Sequence, residues 1–120
     1  MVTLYVYVDG FDLTGLETDL VERFTEFVAA WNISTARVVN DRRQSSVGLR
    51  EGDLPEWNLG LNFTVNRLPR QKIQELVRFL GDLAKETGRN FVIGSGGEEW
   101  FSVGPEPRGN VVELLAEQIG

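Results

Sequence analysis

The chain contains no histidine and no cysteine. Without cysteine there is no disulfide framework and no thiolate metal site, a composition that fits a reducing compartment. Without histidine, the commonest general base near neutral pH and the commonest metal ligand are both missing, and the serine–histidine type of activated nucleophile cannot be assembled. Lysine is scarce, with Lys72 and Lys85 alone. No apolar run approaches the ~20 residues a membrane helix needs. The opening "MVTLYVYVDGFD" lacks a basic stretch and meets Asp9 early, so no secretory signal is expected and the protein is expected to be cytoplasmic. These absences point away from an enzyme and from any cofactor or metal site.

What is present is an ordinary globular composition with an acidic balance. The 120 residues are 42% hydrophobic and 25% charged, which suits one α+β domain over 1–120 with a core of its own. Eighteen acids face twelve bases, a net charge of −6. Residues 1–35 carry six acids against one base and residues 91–120 five against one, whereas residues 36–90 carry seven against ten. A field of this sign repels phosphate backbones and attracts cationic surfaces.

Hydrophobic periodicity sets the elements. "VTLYVYV" alternates, with Val2, Leu4, Val6 and Val8 on one face and Thr3, Tyr5 and Tyr7 on the other, which predicts a strand with an aliphatic core face and a partly covered tyrosine face. Leu20, Val21, Phe24, Phe27, Val28 and Trp31 then follow helical spacing, with Thr14 and Glu17 placed as a capping box, Asp19 placed to pair with Arg23, and Asn32 as a stop. "STARVVND" and "LGLNFTVN" predict two further strands, separated by an unusually long loop over 42–58 that could hold a short strand near "SSVGLR". Pro69 and Gly88 bracket a second helix with a stripe of Ile73, Leu76, Val77, Leu80, Leu83 and Ala84; Gly81 inside it should cost ~1 kcal/mol against alanine, which close packing against the sheet would explain, though no packing reason is required. "NFVIG" and "EWFSV" predict a hairpin, and Asn110 with Glu113 opens a closing helix. The order β-α-β-β-α-β-β-α is the ferredoxin-like split β-α-β plan with an added strand and helix. In that plan strand three lies between strands one and two, and strand four on the other side of strand one.

The glycine cluster in "FVIGSGGEEWFSVG" is a turn rather than a phosphate cradle. Such cradles lead into a helix N-terminus, but this one leads into a predicted strand, past Glu98 and Glu99, with no Walker lysine. Asp9 and Asp12 supply too few oxygens for a hard cation, and "DGFDLTGL" lacks the EF-hand pattern. Trp57, placed in the long loop among Glu51, Asp53 and Glu56, and Trp100, beside Phe101, are candidate interface anchors.

Two family resemblances bear on function. "LYVYVDGFDLTGLETDLVERF" resembles the first strand and helix of an RNA-recognition motif, with "LGLNFTV" similar to its other box. The resemblance implies Tyr5 and Phe63 as base-stacking positions, although "LGLNFTV", in the place of the family's first box, lacks that box's leading basic residue and first aromatic. The chain also resembles small immunity proteins of bacterial polymorphic and contact-dependent toxin systems in size, acidity, α+β plan and the pattern "NFVIGSGGEEWFSVG" before a short helix. That resemblance implies a non-enzymatic protein that covers a cationic toxin. The expected contact surface is the sheet end bearing Asp9, Asp12, Glu51, Asp53, Glu56 and Trp57, with Glu98, Glu99 and Trp100 as a second patch. The alternative is a dimeric ferredoxin-like ligand-binding or regulatory module with Tyr5 and Tyr7 covered by a second subunit or a small molecule.

Overall fold

The computed structural model describes residues 2–9, 15–42, 57–95, 98–105 and 110–120. Its elements are β1 (Val2–Val8), α1 (Glu17–Trp31), β2 (Arg37–Arg42), β3 (Trp57–Val65), α2 (Arg70–Thr87), β4 (Phe91–Ser95), β5 (Glu98–Val103) and α3 (Val111–Ile119). The five strands form one open antiparallel sheet in the order β2-β3-β1-β4-β5. Thus β3 does lie between β1 and β2, β4 flanks β1 on the far side, and β5 forms the outer edge beyond β4.

The alternation of β1 becomes a division between two faces. Leu4, Val6 and Val8 are 0–1% exposed and join buried residues of all three helices in one continuous core. Tyr5 on the opposite face is 43% exposed. A seam of aromatic rings ties α1 to α2 and the sheet. Phe27 stacks on Phe79 at 4.2 Å, Phe24 meets Phe79 edge-on at 5.5 Å, and Trp31 meets Phe63 edge-on at 4.9 Å. Phe79 falls outside the predicted α2 stripe, yet lies three residues from Leu76 and four from Leu83, so it borders the same face. Such pairs add ~0.5–1.5 kcal/mol each beyond their burial.

The helix ends show how local signals met tertiary ones. Asn32 and Gly88 take the left-handed conformation, with φ of 60° and 69°, and stop α1 and α2 as predicted. The start of α1 differs from the predicted Thr14–Glu17 pattern in its N-cap. Leu16 is the N-cap, and the Glu17 carboxylate accepts a hydrogen bond from Asn40 of β2 at 2.9 Å; Thr14 lies outside the described residues. Asn110 caps α3 by position but without a side-chain bond, and Glu113 instead takes Arg70 of α2 at 2.5 Å. Likewise Arg23 pairs with Glu86 of α2, not with Asp19. In each case a charge that could serve its own helix bridges to a neighbouring element. Lys72 closes α1 from outside: its Nζ donates to the Trp31 carbonyl at 2.5 Å, and the Trp31 indole N–H donates to the Lys72 carbonyl at 3.1 Å.

Gly81 does not pack closely, since a Cβ added there would meet nothing within 4 Å. The glycine that does is Gly60 of β3, where an added Cβ would lie 1.8 Å from the Val6 carbonyl oxygen and 2.7 Å from the Tyr7 Cα. Only glycine allows the two main chains to approach this closely.

Candidate functional site

The candidate site is the sheet face opposite the helices, and the strand register lays it out in rows. One row across the sheet reads Arg37, Asn62, Tyr5, Gly94 and Glu99 from β2 to β5. The next reads Val39, Gly60, Tyr7, Val92 and Ser102. Each tyrosine of β1 therefore has a glycine as a direct neighbour: Gly94 beside Tyr5 on one flank and Gly60 beside Tyr7 on the other. Beside the rings runs a groove of about 390 Å³, to which both tyrosines, both glycines, Asn62 and Glu99 contribute.

The Tyr7 hydroxyl donates to Glu99 Oε1 at 3.2 Å. These residues sit two strands apart, and neighbouring strands lie ~4.8 Å apart, so the phenol and the carboxylate reach toward each other over β4. Gly94 leaves room for that crossing. Val92, on the same outer face of β4, is only 3% exposed. Burial is the largest cause pushing the Tyr7 phenol above its ordinary value of 10.0; the Glu99 charge and hydrogen bond follow, then the Asp9 charge. Burial disfavours a charge of either sign, whereas the Glu99 and Asp9 carboxylates make the local field at the phenol negative. The other end of the same row carries the Arg37 cation on β2, so the row is polarised from edge to edge.

The register also places the residues expected from sequence. Asp9 is exposed just past β1, and its N–H bonds the Asn90 carbonyl at 2.8 Å. Trp57 is not in a loop: it is the first residue of β3, opposite Arg42 of β2, because the β2–β3 ladder runs further than the strand pattern indicated. Asp9 and Trp57 do share one end of the sheet. Asp12, Glu51, Asp53 and Glu56, and the possible strand near "SSVGLR", lie outside the described residues. Of the second patch, Glu98 opens β5, whereas Glu99 and Trp100 part company at an irregularity between β4 and β5. Glu99 is exposed and tied to Tyr7, while Trp100 is half-buried against the core. The glycine cluster leads from β4 into β5, a strand, with Ser95 opposite Glu98.

Phe63 cannot stack on a base. It is 1% exposed on the core face and packs edge-on against Trp31, because it shares the parity of Leu59 and Leu61. Tyr5 does stand on the helix-free face. Sequence reasoning missed Gly60, Asn62 and Gly94 as groove residues. A glycine inside a strand pattern is the signal that could have found the first and third; Asn62 carries none. Among the described residues no group of three or more acidic, histidine or cysteine side chains is placed to hold a metal ion, and no helix is long and apolar enough to cross a membrane. No protein-family model, curated protein or solved structure matches the chain.

Proposed function

We propose that the protein is a non-enzymatic binding protein of the immunity type, which neutralises a basic toxin by covering its active surface. The contact surface is the helix-free sheet face, extended at one end by Asp9. The observation that carries this reading is Tyr5, 43% exposed at the centre of a sheet face whose other side is fully packed. Exposed aromatic area beside a groove is the usual anchor of a protein interface. The negative field at Tyr7 and the chain's net charge of −6 favour a cationic partner, and such a field acts mainly on the rate of association. No bond is made or broken in this function, so it needs none of the missing imidazole or thiolate chemistry.

The fold we assign to this module is ferredoxin-like with β5 and α3 added. The order β2-β3-β1-β4 within the sheet and the element order β-α-β-β-α-β support that assignment. The exposure of Tyr5 also favours a second reading, in which a second copy of this chain covers the same face. Sedimentation separates the two: a stable homodimer that shields Tyr5 and Tyr7 replaces the toxin reading. The direct test is co-expression with the product of each neighbouring gene. One of them should arrest growth alone and be neutralised by this chain. The double variant Asp9→Lys, Glu99→Lys should lose that protection while remaining folded. If no neighbour is toxic, or if the double variant protects as well as the parent, the proposal fails.

A further inference from the structure

Within that face, we infer that the slot between Tyr5 and Glu99 receives an arginine side chain of the basic partner. This rests on the reading of a cationic protein partner given above. Tyr5, Gly94 and Glu99 are consecutive members of one cross-sheet row. Tyr5 offers a ring with 43% exposure, Glu99 offers an exposed carboxylate two strands away, and Gly94 between them has no side chain to fill the space. A flat, apolar-walled slot with a carboxylate at one end suits a planar cation. Guanidinium stacks on an aromatic face, is weakly hydrated and presents a fork of donors to a carboxylate, whereas an ammonium is compact and holds its water. The charge polarity of the row sets the direction of entry. The cation lies toward Glu99 on β5 and away from Arg37 on β2.

Glu99 already accepts the Tyr7 hydroxyl on Oε1. An arriving guanidinium therefore meets an acceptor that a neighbour holds in place, so less side-chain freedom is lost on binding. The bond it forms carries charge on both partners, whereas the Tyr7 hydroxyl it joins or replaces is a neutral donor. The apolar stem of the arginine lies along the groove at Gly60, beside Tyr7, where no side chain stands.

The experiment is an amide-resolved NMR titration of the full chain with N-acetyl-arginine methylamide, its lysine counterpart and its neutral citrulline counterpart. The arginine probe should give saturable shifts centred on Tyr5, Gly60, Gly94 and Glu99, in the millimolar range. The lysine probe should bind several-fold more weakly, and the citrulline probe should give no saturable shift. Glu99→Gln and Tyr5→Leu should each weaken the arginine response about fivefold or more, and Arg37→Gln should leave it equal or tighter. Glu99 and Tyr5 are exposed, so these variants keep the fold, checked by unchanged amide spectra away from the groove. Equal binding of citrulline, shifts centred elsewhere, or full binding by Glu99→Gln overturns the assignment. The two readings fail separately. A chain that neutralises a toxic neighbour but ignores the arginine probe loses the slot alone, whereas a chain that binds the probe but has no toxic neighbour keeps the slot and loses the immunity reading.

Discussion

Leu4, Val6 and Val8 are sealed at 0–1% exposure, while Tyr5, one peptide away from two of them, keeps 43%. The same strand thus presents two surfaces with different physics. On the helix side, each residue is held by many packed neighbours, and the aromatic seam of Phe24, Phe27, Phe79, Trp31 and Phe63 makes shape decisive. On the open side, a glycine stands beside each tyrosine, a groove remains, and the side-chain contacts include the hydrogen bonds between Tyr7 and Glu99 and between Thr3 and Thr64. Stability belongs to the first surface, and the proposed recognition to the second.

The strongest way to break this comparison is to truncate a ring on each side. Phe63→Ala should destabilise the fold by about 3–5 kcal/mol, the range for emptying a well-packed aromatic site. Tyr5→Ala should cost less than about 1 kcal/mol, as a surface substitution does. Urea melts of the two variants read both values. Equal losses would mean that the open face is also a core, covered by part of the chain or by a second copy.

Two glycines sharpen it further. Gly60→Ala places a methyl group against the Val6 carbonyl, where the main chain itself must move. The cost should reach about 3 kcal/mol, the upper end of overpacking penalties, and the Tyr7–Glu99 contact should shift with it. Gly81→Ala has the opposite sign. Its methyl group meets nothing within 4 Å on an α2 that extends well past it on both sides, so the variant should gain about 1 kcal/mol from helix propensity and a less flexible unfolded chain. A destabilised Gly81→Ala would reveal a packing demand on that side of α2.

These glycines also mark where sequence reasoning stopped. Period two in β1, the helical stripes of α1 and α2, and the stops at Asn32 and Gly88 were legible, because hydrophobic spacing and positive φ leave local signatures. The strand order followed from the element order. What was not legible depends on register. Nothing local places Glu99 over β4 within reach of Tyr7, nor aligns Gly94 between Tyr5 and Glu99; Glu99 is 92 residues from Tyr7 in the chain, and they meet only through two ladders. Trp57 was misjudged for the same reason, since its strand is extended by pairing with Arg42 and not by its own alternation. Likewise Glu17, Arg23 and Glu113 looked like helix-local charges and instead bridge elements.

The smallest effect expected is a titration. Tyr7 is held above 10.0, first by burial, then by Glu99 and then by Asp9. A phenol whose folded value is raised keeps its proton longer in the folded state than in the unfolded one. Its contribution to stability is therefore whole below the ordinary value of 10.0 and is lost as pH rises through the folded value. An ultraviolet titration of the parent minus that of Tyr7→Phe isolates this phenol. Glu99→Gln should lower its midpoint, because a repelling charge is removed, and Asp9→Asn should lower it less. Neither should return it to the ordinary value, since burial is the larger cause and persists in both. If Asp9→Asn moved the midpoint more than Glu99→Gln, the Tyr7 ring would be pointing along β1 toward Asp9 and not across β4. The slot beside Gly94 would then lose its anchored carboxylate, and the open face would keep its exposed ring without the polarity that selects a cation.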